Sequence, residues 1–335
     1  MPTTPSIDIV IIGLNSAKTL AACLESVRQC GYPKSRMHQF YVDGGSSDQS
    51  MTIARTFGAE CIRVDASEPA PGRQRNAGWH RGASEFVQFL DSDTTLDAAW
   101  LEKAVVTMLE DHAGAVCGDR RESHPEATLF NWLGDKEWNV PPGEIESFGG
   151  DVLISRVALE ATGGYDDHLI AGEDPELSCR IRQSGYKILK LDEPMTRHDL
   201  AMHTCRQYCK RAYRSGHAFA EIHARHKDLW AKETRRILLR TIPFLVGVAM
   251  LPFALRVPWM HLPIAAGAII MARPRLFLVR QFMDELSLTR KEARLYAWHA
   301  SIVVLPQFFG MVRFYIGRIF GKPLTNRRIL AAGTP

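Results

Sequence analysis

The sequence predicts an α/β fold with a doubly wound, mostly parallel sheet in its N-terminal part, followed by a helical membrane-associated region. Two observations predict the sheet: apolar runs of strand length alternate with amphipathic helical stretches, and polar residues follow the strands. A third observation predicts the membrane region, since three uncharged apolar runs near the C-terminus are bounded by arginines. We therefore expect two domains, residues 1–230 and residues 231–335.

Four strand-and-helix pairs account for the first third of the chain. The predicted strands read IDIVIIG, QFYVD, ECIRV and EFVQFLD, and the predicted helices follow them at 16–30, 47–57, 72–82 and 98–111. The first helix carries the clearest pattern, because Leu20, Leu24 and Val27 fall on one face. Strands in such an alternation run parallel, and ligands bind beyond their carboxyl ends.

Polar residues stand where these strands end. Asn15 follows the first strand, Asp43 ends the second, and Asp91 and Asp93 follow the fourth in the stretch FLDSD. Each could belong to an ordinary turn, and Asp43 alone fits an Asx turn or a helix cap. Brought to one edge of the sheet, the carboxylates could bind Mg²⁺ or Mn²⁺. The chain has no Gly-x-Gly-x-x-Gly after the first strand and no P-loop motif, which disfavours dinucleotide and P-loop functions.

A second acidic pair stands in the stretch GED, directly before the helical segment PELSCRIRQSG. Pro175 fits the first turn of that helix, so Glu173 and Asp174 are expected at its N-terminus. Carboxylates in this position could simply complement the helix dipole. Further along, the stretch 119–149 lacks periodicity, and we expect a long lid facing a second substrate, with Trp132 and Trp138 either exposed or buried under the sheet edge.

Charge separates the two predicted domains. Residues 1–230 carry 25 basic and 33 acidic residues, whereas residues 231–335 carry 16 basic and 4 acidic ones. The basic part holds apolar runs at 241–255, 257–272 and 295–312. Each run is shorter than the about 20 residues that cross a bilayer, so a buried helical subdomain is the alternative. The flanking arginines favour the membrane.

The N-terminal sequence MPTTPSIDIV lacks the basic segment and long apolar stretch of a secretory signal. The seven cysteines, an odd number without paired spacing, fit a reducing compartment. We therefore expect the first domain in the cytosol, at the cytoplasmic face of the inner (plasma) membrane. The expected partners include membrane lipid and no nucleic acid.

Four blocks of this sequence occur in the order and spacing of one known family. They are VDGGSSDQS, RNAG at 75–78, FLDSD, and GGYDDHLIAGEDPELSCRIRQSGYKI. Over about residues 6–225 the chain resembles the family 2 glycosyltransferases. The resemblance implies the GT-A fold, whose N-terminal half is Rossmann-like, and transfer of a sugar from a UDP- or GDP-sugar. It implies that the nucleotide sugar contacts Asn15, Asp43, Arg75, Asn76, Asp91 and Ser92.

The resemblance also implies a divalent cation, Mn²⁺ or Mg²⁺, held by Asp93 with Asp91 and His198 as further ligands. Such a cation neutralises the charge that develops on the diphosphate leaving group. In the resembling family the aspartate of the GED motif is the catalytic base, which implies that Asp174 takes the proton of an acceptor hydroxyl, with Glu173 beside it in the acceptor site. One base and no identified nucleophile favour direct displacement with inversion.

The chain departs from the family pattern at three places. Gly44 stands where a second acidic residue is frequent, and Leu14 replaces a frequent aromatic residue. Processive members carry Gln-x-x-Arg-Trp, whereas QYCKR at 207–211 is not followed by tryptophan. Transfer of a single sugar is therefore favoured.

The acceptor we expect is a lipid-linked or envelope glycan presented at the membrane. Two alternatives remain open from the sequence. One is a polyprenyl-phosphate sugar synthase, whose phosphate acceptor needs no base. The other is a non-catalytic nucleotide-sugar-binding partner of a membrane assembly.

Overall fold

The structure is a computed structural model that describes residues 4–65, 70–138, 140–227, 229–254 and 256–322. These residues form two compact units, which divide between Ala201 and Met202. The first unit contains the sheet, whose described strands are β1 (Ile7–Gly13), β2 (Met37–Asp43), β3 (Glu60–Arg63), β4 (Phe86–Asp91), β5 (Thr94–Leu96), β6 (Ala115–Glu122), β7 (Gly143–Glu144), β8 (Val152–Ser155) and β9 (Ile188–His198). Its helices are α1 (Leu20–Gln29), α2 (Ser50–Thr56), α3 (Pro71–Arg81), α4 (Trp100–Glu110), α5 (Leu129–Glu137), α6 (Arg156–Thr162) and α7 (Glu173–Gln183).

The N-terminal half of the sheet is parallel, as the sequence predicts. Strands β3, β2, β1 and β4 lie side by side in that order, and all their pairings are parallel. Strand β1 is buried along its whole length, as is usual for a central strand of a parallel sheet, and α3 packs against it. The register pairs Gly13 with Asp43 and Ile12 with Asp91. The polar residues that end β2 and β4 therefore flank the end of β1.

The second half of the sheet is mixed. Strand β8 lies antiparallel between β4 and β6, strand β9 runs parallel to β6, and β5 and β7 pair antiparallel with β9. The chain leaves β6 and enters β8 at the same edge of the sheet, and a connection of this kind produces an antiparallel pair. The predicted parallel character therefore belongs to the N-terminal half of the sheet.

The stretch 119–149, predicted as one long lid, contains regular structure. It begins within β6, continues through α5 and includes β7; Asn139 lies outside the described residues. Thr128 caps α5 by accepting a hydrogen bond from the backbone N–H of Asn131. This cap was not recognised in the sequence because the apolar periodicity of α5 is weak. Trp132 and Trp138 are both half-buried.

The second unit is helical. Its described helices are α8 (Cys205–Arg225), α9 (Ala231–Ala254), α10 (His261–Phe277), α11 (Val279–Glu285), α12 (Arg290–Ile302) and α13 (Val304–Ile319). Helix α8 packs tightly on α13, since a Cβ atom on Gly216 would lie 1.9 Å from the carbonyl oxygen of Gln307. This packing places α8 in the helical unit, whereas the boundary predicted at 230/231 left it in the first domain.

Within the described residues, two helical stretches are long and apolar enough to cross a membrane. They are α9 and the continuous stretch Arg290–Ile319, with mean hydropathies of 1.9 and 1.4. Helices α10 and α11, bent by 42° at their junction, would form a third span if counted together. These helices contain the three apolar runs of the sequence, apart from Leu255 and the residues 256–260 between α9 and α10. Leu255 and residues 323–335 lie outside the described residues.

Candidate functional site

The site begins at the carboxyl ends of β1, β2 and β4. Asp43 is fully buried, and its Oδ2 atom accepts hydrogen bonds from the backbone N–H groups of Gly45 (3.1 Å) and Ser46 (2.9 Å). This is the Asx turn that the sequence allowed. Its Oδ1 atom is buried and has no hydrogen-bond partner within the described protein. An unsatisfied buried acceptor is costly, so Oδ1 of Asp43 is suited to receive a donor group from a ligand.

Asn15 and Ser92, which were predicted to contact the nucleotide sugar, lie in the loops around this edge of the sheet. Asn15 has a positive φ of 54°, and its Oδ1 atom accepts from the backbone N–H of Ser47 at 3.0 Å. Ser92 is buried and donates from Oγ to Oγ of Ser16 at 2.6 Å. The structure thus gives both side chains bonds that hold the rim of the site in shape.

Arg75, on α3, occupies the centre of the site. Its Nη2 atom lies 2.9 Å from Oδ1 of Asp91, and its Nη1 atom lies 2.8 Å from Oε1 of Glu173 and 3.5 Å from Oδ1 of Asp174. The guanidinium also lies 5.3 Å from the ring centre of Tyr165, in a cation–π contact. Arg75 therefore joins the two acidic motifs of the sequence, although they are far apart along the chain.

Glu173 and Asp174 begin helix α7, as the sequence predicts. The helix starts after Gly172, whose φ of 86° lies in the left-handed region that glycine adopts at low cost. Burial raises the pKa of the Asp174 carboxyl to about 8; Arg75 opposes this effect, and the negative charges of Glu173 and Asp91 add to it. Oδ1 of Asp174 has no hydrogen-bond partner in the described protein. A carboxyl group in this environment has the basicity that a general base needs near neutral pH.

Asp91, Asp93 and His198 form a candidate metal site. One carboxylate oxygen of each aspartate and one ring nitrogen of His198 all lie within 4.8 Å of one another. Burial by itself raises the pKa of Asp91, but Arg75, Arg120 and His198 together bring it below its ordinary value, so this carboxylate is available as a ligand. Two oxygens and one imidazole nitrogen fit a divalent cation such as Mn²⁺ or Mg²⁺.

Two site residues, Arg120 and Asp151, were missed in the sequence. Arg120, on β6, contacts Nδ1 of His198 and lies 3.5 Å from Oδ2 of Asp91 and 3.4 Å from Oδ2 of Asp151. Asp151 is fully buried, and its Oδ1 atom accepts from the backbone N–H of Asp91 at 3.1 Å. Arg120 was assigned to an irregular lid, whereas it belongs to a strand. The glycine pair at 149–150 before Asp151 was the available signal.

Arg120 also determines which nitrogen of the His198 ring carries the proton. A guanidinium only donates hydrogen bonds, so Nδ1 of His198 accepts, and Nε2 carries the proton when the ring is neutral. Nε2 then donates to Oδ1 of Asp93 at 3.0 Å, so Nε2 can ligate a cation only after this proton has left. Trp138 stacks on His198 and Arg120, with its ring 5.2 Å from the centre of the His198 ring and 4.6 Å from the Arg120 guanidinium. Trp138 thus lies beside the candidate metal site.

Asn76 was also predicted to contact the nucleotide sugar, but its amide group forms hydrogen bonds within the protein. Its Nδ2 atom donates to the carbonyl oxygen of Tyr165 and to Oδ1 of Asp167, both at 2.7 Å. Its Oδ1 atom accepts from the backbone N–H of Tyr165 and from Nε1 of Trp79, both at 2.9 Å. Asn76 therefore holds Tyr165 and Asp167, in the segment that precedes Glu173, in place.

Comparison with known proteins finds similarity to one family. Residues 8–157 match the sequence model described as Glycosyl transferase family 2. Glycosyltransferase AglE of Haloferax volcanii is 26% identical over 195 residues, covering 56% of this chain and 64% of AglE. O-antigen chain rhamnosyltransferase WbaN of Salmonella anatum is 29% identical over 191 residues, covering 52% of this chain and 60% of WbaN. The matches thus span less than two thirds of the length of these relatives.

Solved structures identify the fold. The mannosyltransferase PcManGT of Pyrobaculum calidifontis, in complex with GDP-Man and Mn²⁺, matches with a TM-score of 0.62 at 16% identity, covering 93% of this chain and 88% of that chain. TarS 1–349 of S. aureus, in complex with UDP-GlcNAc, matches with a TM-score of 0.53 at 15% identity, covering 95% of this chain and 92% of that chain. The fold of the first unit is GT-A, and the prediction from the sequence is confirmed.

Proposed function

We propose that this chain, of which residues 8–157 match the model of glycosyl transferase family 2, moves one sugar from a nucleotide-diphosphate sugar to an acceptor hydroxyl, with inversion at the anomeric carbon. The observation that carries this proposal is the position of Asp174. Its buried carboxyl, with a pKa raised to about 8, is linked through Arg75 to Asp91 of the candidate metal site. A base on one side of the reacting carbon and a cation on the other are the groups that direct displacement requires.

In this mechanism Oδ1 of Asp174 takes the proton of the acceptor hydroxyl as the acceptor oxygen attacks the anomeric carbon. The bond from that carbon to the diphosphate oxygen breaks, and the nucleoside diphosphate leaves with its electron pair. Arg75 holds Asp174 and Glu173 at the site through contacts of 3.5 and 2.8 Å. Asp91, Asp93 and His198 would hold the cation, which when bound neutralises charge on the diphosphate. Oδ1 of Asp43 is proposed to accept a hydrogen bond from the nucleotide.

The donor we propose is a UDP- or GDP-sugar. The structural relatives, in complex with UDP-GlcNAc and with GDP-Man and Mn²⁺, support a nucleotide sugar and a divalent cation. At the position proposed to recognise the nucleotide, the chain has Asp43 followed by Gly44. The buried acceptor Oδ1 of Asp43 suits an N–H or O–H donor, which both uracil and guanine offer.

The acceptor we propose is a lipid-linked or envelope glycan presented at the cytoplasmic face of the membrane. Support comes from the helices that are long and apolar enough to span a bilayer, and from the basic residues that flank them. WbaN, an O-antigen chain rhamnosyltransferase, and a succinoglycan biosynthesis protein, ExoA of Rhizobium meliloti, have names that refer to such glycans. The base at Asp174 favours a hydroxyl acceptor over a bare polyprenyl phosphate, which needs no base.

A donor screen followed by a transfer assay tests this function. Nucleotide sugars are first screened for metal-dependent thermal stabilisation of the chain, since a ligand at about 100 times its Kd adds about 2.7 kcal/mol. The donor found is then incubated with lipid-linked sugars and, separately, with polyprenyl phosphate. Transfer to a sugar hydroxyl with inverted configuration is expected. Transfer to polyprenyl phosphate alone, retention of configuration, or the absence of any binding donor would each contradict the proposal.

A further inference from the structure

Five basic side chains line one pocket of about 230 Å³ in the helical unit. Helix α9 contributes four of them and α10 the fifth, and Leu239 completes the lining: Lys232, Arg235, Arg236, Arg240 and Arg273. The four on α9 recur at spacings of three and four residues, which brings them to one side of the helix. Arg273 lies in the C-terminal part of α10, so the pocket is formed where the start of α9 meets the end of α10.

The charge of this pocket is uncompensated by its own lining. None of the described residues that line it is acidic. Arg240 is buried, with Nη1 donating to the carbonyl oxygen of Ala300 at 3.1 Å, while Arg235, Arg236 and Arg273 are exposed. A concave site lined by one sign of charge concentrates counter-ions of the opposite sign. The pocket is therefore suited to an anion.

The shape of the guanidinium group narrows the choice of anion. Arginine side chains present planar forks of N–H donors that bind phosphate oxygens in pairs, and four of the five cations here are arginines. Several guanidinium groups around one volume can bind a phosphate from more than one side. A phosphate or diphosphate group is thus the anion that this lining fits.

The position of the pocket along the helices indicates what carries the phosphate. Beyond Arg240, the described part of α9 has no charged residue through Ala254, and α10 has none between His261 and Ala272 other than that histidine. Large apolar side chains on these stretches are exposed, among them Leu251 and Phe253. A bilayer would cover such a surface, and the basic pocket then lies at the level of the lipid headgroups.

We propose that this pocket binds a phosphate group carried by a lipid at the membrane surface. Two lipids offer this chemistry: an anionic phospholipid, through its headgroup, and a lipid-linked sugar acceptor, through its phosphate or diphosphate. The inference rests on the membrane attachment included in the proposed function, but it does not require that sugar transfer take place. All lining residues of the pocket belong to the helical unit, whereas Asp91, Asp93 and His198 belong to the sheet unit.

Lipid binding by the full chain in a non-ionic detergent tests the proposal. The probes are phosphatidylglycerol, phosphatidylcholine, a short-chain polyprenyl diphosphate and inorganic phosphate, and bound lipid is counted by native mass spectrometry. The pocket variant is Arg236→Gln/Arg273→Gln. The matched control is Arg290→Gln/Lys291→Gln, which removes the same charge from two exposed positions at the start of α12.

Phosphatidylglycerol or polyprenyl diphosphate should bind more tightly than phosphatidylcholine. The pocket variant should weaken that binding on the order of tenfold or more, and the control variant should not. The lipid whose affinity falls further identifies the source of the phosphate. Equal losses in both variants, no loss in either, or binding of inorganic phosphate without either lipid would overturn the proposal.

A second readout separates this inference from the proposed function. Metal-dependent hydrolysis of the donor is measured in the same two variants, because it needs the sheet unit but no lipid. Lost lipid binding with intact hydrolysis supports the pocket independently of the acceptor. If hydrolysis is absent in the unsubstituted chain while the pocket still discriminates between the variants, the proposed enzyme activity fails and the lipid site stands.

Discussion

Nη1 of Arg75 lies 3.5 Å from Oδ1 of Asp174. The same guanidinium also contacts Asp91 and Glu173, so Arg75 lies close to three carboxyl groups. Burial first, and then the negative charges of Glu173 and Asp91, raise the pKa of Asp174, so this carboxyl binds a proton more readily than usual. In the proposed mechanism this arrangement supplies a base without a histidine.

Replacement of Asp174 by Asn should abolish transfer and leave donor binding near that of the unsubstituted chain. General bases contribute typically about 10² to 10⁴-fold to a rate, and the loss is expected in kcat rather than in donor Kd. Asp192→Asn, at an exposed position of β9, is the matched control. Unchanged turnover of Asp174→Asn would remove this residue from the mechanism.

The rate of transfer should rise with pH up to about 8 and then level off. Asp174 acts as a base only when deprotonated, and its pKa is raised to about 8, so the active fraction should fall about tenfold per pH unit below that value. Initial rates at saturating donor and constant free Mn²⁺ measure this profile. A rate that is flat from neutral to alkaline pH would contradict the assignment.

Removal of the divalent cation should stop transfer, and loss of one ligand should raise the Mn²⁺ concentration that restores it. Even residues that only support a metal ligand typically change metal affinity by about 10 to 100-fold, so Asp93→Ala should weaken activation by at least about tenfold. EDTA treatment followed by Mn²⁺ titration measures both effects, with Asp192→Ala as the control. Full activity in EDTA would show that Asp91, Asp93 and His198 hold no required cation.

Gly150→Ala should lower activity more than stability. A Cβ atom on Gly150 would lie 2.6 Å from both Nη2 of Arg75 and Oδ2 of Asp91, so these side chains must shift and their contact must lengthen. Small displacements of catalytic groups can cost about 100-fold in rate. Gly149→Ala is the neighbouring control, because its Cβ would meet only the end of Arg120, at 3.2 Å. Equal activity of the two variants would contradict this account of Gly150.

The sequence by itself determined the elements of the N-terminal, parallel half of the sheet and the edge at which its polar residues meet. The four predicted strands and helices are present, because alternating apolar runs of strand length and amphipathic stretches allow few other arrangements. The parallel register then brings Asp43 and Asp91 to the end of β1. Pro175 after GED was sufficient to predict that Glu173 and Asp174 stand at the N-terminus of α7.

Only the tertiary structure decided which of these residues bond to each other and which serve the fold. Asn76 is fully engaged by Tyr165 and Asp167, which lie 89 and 91 residues further along the chain, and by Trp79, which is three residues away. The roles of Arg120 and Asp151 depend on two strands that enter the sheet from its second half. Local sequence patterns indicate which face of a helix or strand is apolar. The partner of a buried charge is determined only when distant segments pack together.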